Sequence, residues 1–72
     1  MEAYKARFLA EYLELEDRRL KLAHMLDHWD SLGFEPTCPM ELLERQLSAM
    51  AEYAGVLRER ASLEGVELPD VQ

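Results

Sequence analysis

The sequence predicts an all-α fold: an antiparallel two-helix hairpin that assembles into a helical-bundle homo-oligomer. Three observations carry that expectation. Two long stretches of good helix formers with helical hydrophobic spacing flank one break that contains Gly33, Pro36 and Pro39. The chain has 72 residues, a size at which one core is marginal and association often supplies the rest. The second stretch carries two apolar seams, and one partner helix covers only one of them.

The first helix is expected from about residue 2 to 31 or 32. Met1, Phe8, Leu15, Leu22 and Trp29 repeat every seven residues, and Tyr4, Tyr12, Met25 and Leu26 join them on the face that packs on the second helix. Ala6, Leu9, Leu13 and Leu20 form a second, shorter stripe. Glu14 with Arg18 and Asp17 with Lys21 are acid-first i,i+4 pairs, each worth a few tenths of a kcal/mol.

Residues 33–38 are the expected connection. Gly33 is placed to end the first helix, Pro36 to block its continuation and Pro39 to occupy the first turn of the next, with Thr37 or Cys38 as its N-cap. So short a connection makes the helices antiparallel. The second helix is expected over 39–64, with Glu41 facing the positive end of its dipole and Gly65 closing it, followed by a tail over 65–72 that contains Pro69. Met40, Leu43, Leu47, Met50, Ala54, Leu57 and Ala61 form the seam toward the first helix. Leu42, Ala49, Tyr53, Val56 and Leu63 run beside it, and with Leu9, Leu13 and Leu20 they are the expected oligomer interface. Gly55 in mid-helix costs about 1 kcal/mol relative to Ala, which points to a close helix approach or room for a ligand. The whole chain, 1–72, reads as one domain.

Fifteen acidic against eight basic residues give a formal charge of −7, which opposes binding to DNA or RNA and suits a basic protein partner. No segment has the length and apolarity of a membrane span, and Met1-Glu2-Ala3-Tyr4-Lys5 lacks the layout of a secretory leader. With one cysteine, a reducing cytoplasm is the expected location.

No Ser-His-Asp or Cys-His arrangement is evident, so the expectation is a non-enzyme without cofactor. His24 and His28 stand one helical turn apart with Asp27 beside them, but no third ligand is close in sequence and no metal site is expected. Cys38 lies where a helix dipole favours a thiolate, and a small residue in a tight turn is the simpler reading. Arg18, Arg19, Arg45 and Arg58 are the candidates to hold a phosphorylated ligand where chains meet, with Tyr53, then Trp29, to stack on a base. For any one arginine a surface ion pair is the simpler role, and for the aromatics packing is.

The run Cys38-Pro39-Met40-Glu41-Leu42-Leu43-Glu44-Arg45-Gln46-Leu47-Ser48-Ala49-Met50, with Tyr53, Val56-Leu57, Arg60-Ala61 and Glu64-Gly65-Val66 after it, resembles a small family of phage proteins related to one from crAss-like phages. Glu2 through Phe8 and Tyr12 fit it as well. That resemblance implies a phage origin and no particular activity. Leu47, Met50, Tyr53 and Ala54 also resemble positions in the helical hairpins of phage sponge proteins, which counter CBASS and Thoeris immunity by sequestering cyclic nucleotide signals. The sponges' Ser-Arg-Glu opening of the second helix is replaced here by Cys38-Pro39-Met40-Glu41, so its phosphate contacts do not carry over. These resemblances imply a counter-defence protein in the infected bacterial cell that sequesters an immune nucleotide without cleaving it. The alternatives are an acidic inhibitor that covers a basic host effector and a structural or adaptor hairpin.

Overall fold

A computed structural model describes residues 2–69. Two α-helices, α1 (Ala3–Asp27) and α2 (Met40–Glu64), pack on each other as a hairpin, and a 3-10 turn, Trp29–Ser31, lies between them. Each helix has 25 residues, roughly 37 Å of helix at 1.5 Å per residue, which accounts for most of the 43 Å long axis. The described residues contain no strand, and no helix among them is long and apolar enough to cross a membrane.

α1 ends at Asp27, short of the expected 31 or 32. His28 leaves helical geometry at φ −116°, ψ 30°, and its backbone N–H is shared between the carbonyls of His24 (3.1 Å) and Met25 (3.2 Å). Its ring Nδ1 donates to the His24 carbonyl at 2.8 Å. A histidine thus caps the last turn, where the orphan carbonyls need donors, and Gly33 does not act as the cap. Trp29, expected on the heptad face of the helix, instead sits half-buried on the 3-10 turn, and Leu32 is extended.

The start of α2 differs from expectation too. The N-cap is Pro39 at φ −67°, ψ 151°, while Thr37 and Cys38 lie exposed outside it, and no side chain caps the first turn. The proline ring already holds the φ that a capping position takes, and its carbonyl accepts from the N–H groups of Leu42 (3.1 Å) and Leu43 (3.4 Å). The other end is as expected. Gly65 is the only described residue at positive φ (68°), and the Val66 N–H donates to the Ala61 carbonyl at 2.9 Å, closing a Schellman turn.

Phe8, Tyr12 and Leu15 from α1 are buried against Ala54, Leu57 and Ala61 from α2, and Met50, Val66 and Leu68 pack on this cluster. The Schellman turn sends the tail back over the core, the C″-to-C3 contact that often accompanies this motif. The core lies at the end of the hairpin far from the connection. Toward the connection Leu22, Met25, Leu26, Leu43 and Leu47 are half-buried. Tyr4 is largely exposed; Met1 and residues 70–72 of the tail lie outside the described residues.

The second seam of α2 stays open in the single chain. Leu42, Ala49, Tyr53 and Val56 are exposed, and Leu63 is 89% exposed. On α1 Leu13 is exposed, while Leu9 and Leu20 are half-buried. Each stripe is offset by roughly 110° from the core face of its own helix at 100° per residue, and the two lie on opposite sides of the hairpin. Gly55 makes no close approach, since a Cβ built there meets nothing within 4 Å.

Two substitutions test this packing by urea unfolding. Leu57→Ala, at a fully buried site, should cost about 2–5 kcal/mol. Gly55→Ala should stabilise by about 0.5–1 kcal/mol, because it removes backbone freedom from the unfolded chain and adds no clash. Loss of stability in Gly55→Ala would mean that this face is closed by something beyond the single hairpin.

Candidate functional site

Among the described residues, one charged side chain is buried in the hairpin. Glu16, one turn beyond Tyr12 on α1, is 1% exposed, and its carboxylate faces α2. Arg19, three residues on, donates from both Nε (2.8 Å) and a terminal nitrogen to Oε2, and Arg58 reaches across from α2 to Oε1 at 3.1 Å. Both oxygens are therefore answered by guanidinium groups, the condition under which a buried carboxylate is tolerated. The Arg58 guanidinium is about half exposed and lies 5.9 Å from the centre of the Tyr12 ring. The Tyr12 side chain first, and the Glu16 carboxylate after it, raise its pKa above the ordinary arginine value, against the opposing effect of burial. Arg60 covers the Phe8 ring at 4.7 Å and pairs with Glu64 at 3.8 Å. Arg58 and Arg60 thus lay cations over the two core aromatics while their charges stay near water.

Of the arginines singled out for a ligand, Arg19 and Arg58 are brought together, but around Glu16. Arg18 is on the exposed face, paired with Glu14 at 3.2 Å, and Lys21 pairs with Asp17 at 2.9 Å, the two i,i+4 contacts read from the sequence. Arg45 makes no ion pair among the described residues. It lines a shallow open depression on α2 with Leu42, Gln46 and Ala49. Tyr53, 43% exposed, lies two turns further along the same stripe. Trp29 is on the 3-10 turn between the helices and not on this stripe. Cys38 is a free, exposed thiol.

Glu16 is the residue that reading the sequence missed. Its signal was present: it follows Leu15 at the flank of the Tyr12 and Leu15 face, where a carboxylate meets the partner helix and not open water. Sequence spacing shows the Arg19 partner three residues away, whereas Arg58 is 42 residues away and only the hairpin brings it in.

Among the described residues, no group of three or more His, Cys, Asp or Glu side chains is placed to hold a metal ion. A family model described as Sequestin matches residues 2–63. No curated protein and no solved structure matches the chain.

The Glu16 cluster yields a stability prediction. Glu16→Ala should cost about 1.5–3 kcal/mol in urea unfolding, the range for hydrogen bonds to charged groups, because the partly exposed arginines it releases can turn to water. A double-mutant cycle between Glu16 and Arg58 should give a coupling larger than one between the exposed Glu14 and Arg18, whose pair is screened by solvent.

Proposed function

This chain belongs to the Sequestin family, and on that premise we propose that it is a phage counter-defence protein that captures a host immune signalling nucleotide and holds it without cleaving it. The family match over residues 2–63 is the observation that carries this reading, since the family name describes sequestration. The proposed setting is the cytoplasm of the infected bacterial cell, and the proposed working form is a homo-oligomer.

The arrangement on α2 supports a binding site shared between copies. Arg45 and Tyr53 lie four residues to either side of Ala49, on the exposed stripe. A second copy packed antiparallel about a two-fold at Ala49 sets Arg45 of one copy beside Tyr53 of the other, and Leu42 beside Val56. The small alanine lets the helices approach. Each such junction pairs a guanidinium not engaged by a carboxylate among the described residues with an aromatic face, the combination that a phosphate joined to a base requires. Arg19 and Arg58 are committed to Glu16, so Arg45 is the leading phosphate ligand.

A second reading rests on the net charge of −7: an acidic hairpin that covers a basic surface of a host defence protein through the open α2 stripe. Native mass spectrometry with and without a panel of cyclic nucleotides and nucleotide-derived signals separates the two. Sequestration predicts an oligomer that carries intact nucleotide and releases it unchanged on denaturation. Failure of the whole panel to bind would hand the function to the acidic inhibitor.

Two variants locate the site. Arg45→Ala should weaken nucleotide binding about ten- to a hundredfold while the oligomer persists, matching the roughly 1.5–3 kcal/mol of a hydrogen bond to a charged group. Tyr53→Glu and Val56→Glu should dissociate the oligomer, measured by sedimentation, because each puts a charge into an apolar contact. Wild-type affinity in Arg45→Ala would move the pocket away from this stripe.

A further inference from the structure

We propose that His24 and His28 form a chelating site for a divalent transition ion of the Ni²⁺, Cu²⁺ or Zn²⁺ type at the C-terminal end of α1. The two imidazoles are exposed, and their ring centres lie 4.1 Å apart at an interplanar angle of 30°. The tautomer of one is fixed. His28 Nδ1 is 2.8 Å from the His24 carbonyl oxygen, which only accepts, so Nδ1 carries the proton and the lone pair of the neutral ring is at Nε2. Donation of one ring N–H to a backbone carbonyl while the other nitrogen stays free is the outer-shell arrangement that orients metal-binding histidines.

With the His28 ring held on the His24 carbonyl, rotation of the neighbouring His24 ring is the movement that brings a second nitrogen toward an ion on His28 Nε2, at the roughly 2.0–2.1 Å of a zinc-type bond. The ion would close a ring across the last turn of α1, from a helical residue to its capping residue. No third His, Cys, Asp or Glu joins the pair among the described residues, so water or a second copy completes the coordination. Selectivity then follows from the donors. Two imidazoles favour ions on the Ni²⁺ and Cu²⁺ side of the Irving–Williams order and give Mg²⁺ no purchase, because Mg²⁺ prefers oxygen ligands. This site is separate from the α2 stripe and does not depend on the nucleotide reading.

The test is Ni²⁺ titration of the full chain by calorimetry, with thermal unfolding followed by circular dichroism. Both are done in a Cys38→Ser background to remove the exposed thiol as a rival ligand. The expected result is saturable Ni²⁺ binding that raises Tm, reverses with chelator and has no counterpart with Mg²⁺. His24→Ala should weaken binding more than tenfold, because it removes a direct ligand, and loss of even an outer-shell partner costs roughly ten- to a hundredfold. It should leave the metal-free helix end intact, because the His28 ring bonds the backbone carbonyl of residue 24 and not its side chain. That separates chelation from capping. Absence of Ni²⁺ binding, or binding by His24→Ala as tight as by its parent, would overturn the proposal.

Discussion

The packing of two aromatic rings and a leucine of α1 against a seam of α2 that holds two alanines and Leu57 is the contact on which the rest of the structure depends. Phe8, Tyr12 and Leu15 fill the space over Ala54, Leu57 and Ala61, all of them buried. Two alanines in the facing seam leave room for the aromatic rings of α1, and Tyr12 is buried there. Glu16, next on that flank, is buried as a consequence of packing and not of its own chemistry. A carboxylate in that position without donors would cost several kcal/mol, so Arg19 and Arg58 are recruited to it. Arg58 and Arg60 also extend over the aromatic rings of this contact.

The same geometry explains why the second stripe of α2 stays open. Each helix presents one face to its partner, and two helices have no third element with which to cover a second face. Among the described residues, the turn at Gly65 adds cover to the core by returning Val66 and Leu68 to it. Leu42, Ala49, Tyr53, Val56 and Leu63 therefore face solvent in the single chain, with Arg45 among them. An exposed apolar stripe of this length on a small protein is a surface for association.

Periodicity made the hairpin and both faces of α2 legible in the sequence, because the alternating three- and four-residue steps from Met40 to Ala61 admit one helical reading. Gly65 was legible for a related reason: a glycine after a long apolar period is the usual αL closure, and its φ is 68°. The end of α1 was not. Gly33 and Pro36 mark where a helix must have stopped, while His28 stops it earlier with a side-chain hydrogen bond that no pattern of hydrophobicity encodes. The start of α2 misled similarly, since Thr37 and Cys38 have capping side chains that go unused when Pro39 takes the capping position. In the candidate site, Arg18 and Glu14 were readable as neighbours in the chain. The commitment of Arg58 to Glu16 required knowing the register of two helices, which local spacing does not contain.

Charge ties these surfaces to the proposed function. At −7 per chain, copies that pair through the α2 stripe repel one another, and the apolar contact must outweigh that repulsion. Added salt screens the repulsion and leaves the apolar contact in place, so salt favours assembly. The same salt weakens attraction between Arg45 and a phosphate, so it opposes capture. The two steps of the proposed mechanism thus respond to ionic strength with opposite sign. A ligand that neutralises part of its charge on arginines from both copies reverses the balance again, because it places a bridge where the acidic chains would otherwise push apart. Nucleotide binding and self-association would then be linked, each strengthening the other most at low salt, where the unliganded copies repel most strongly.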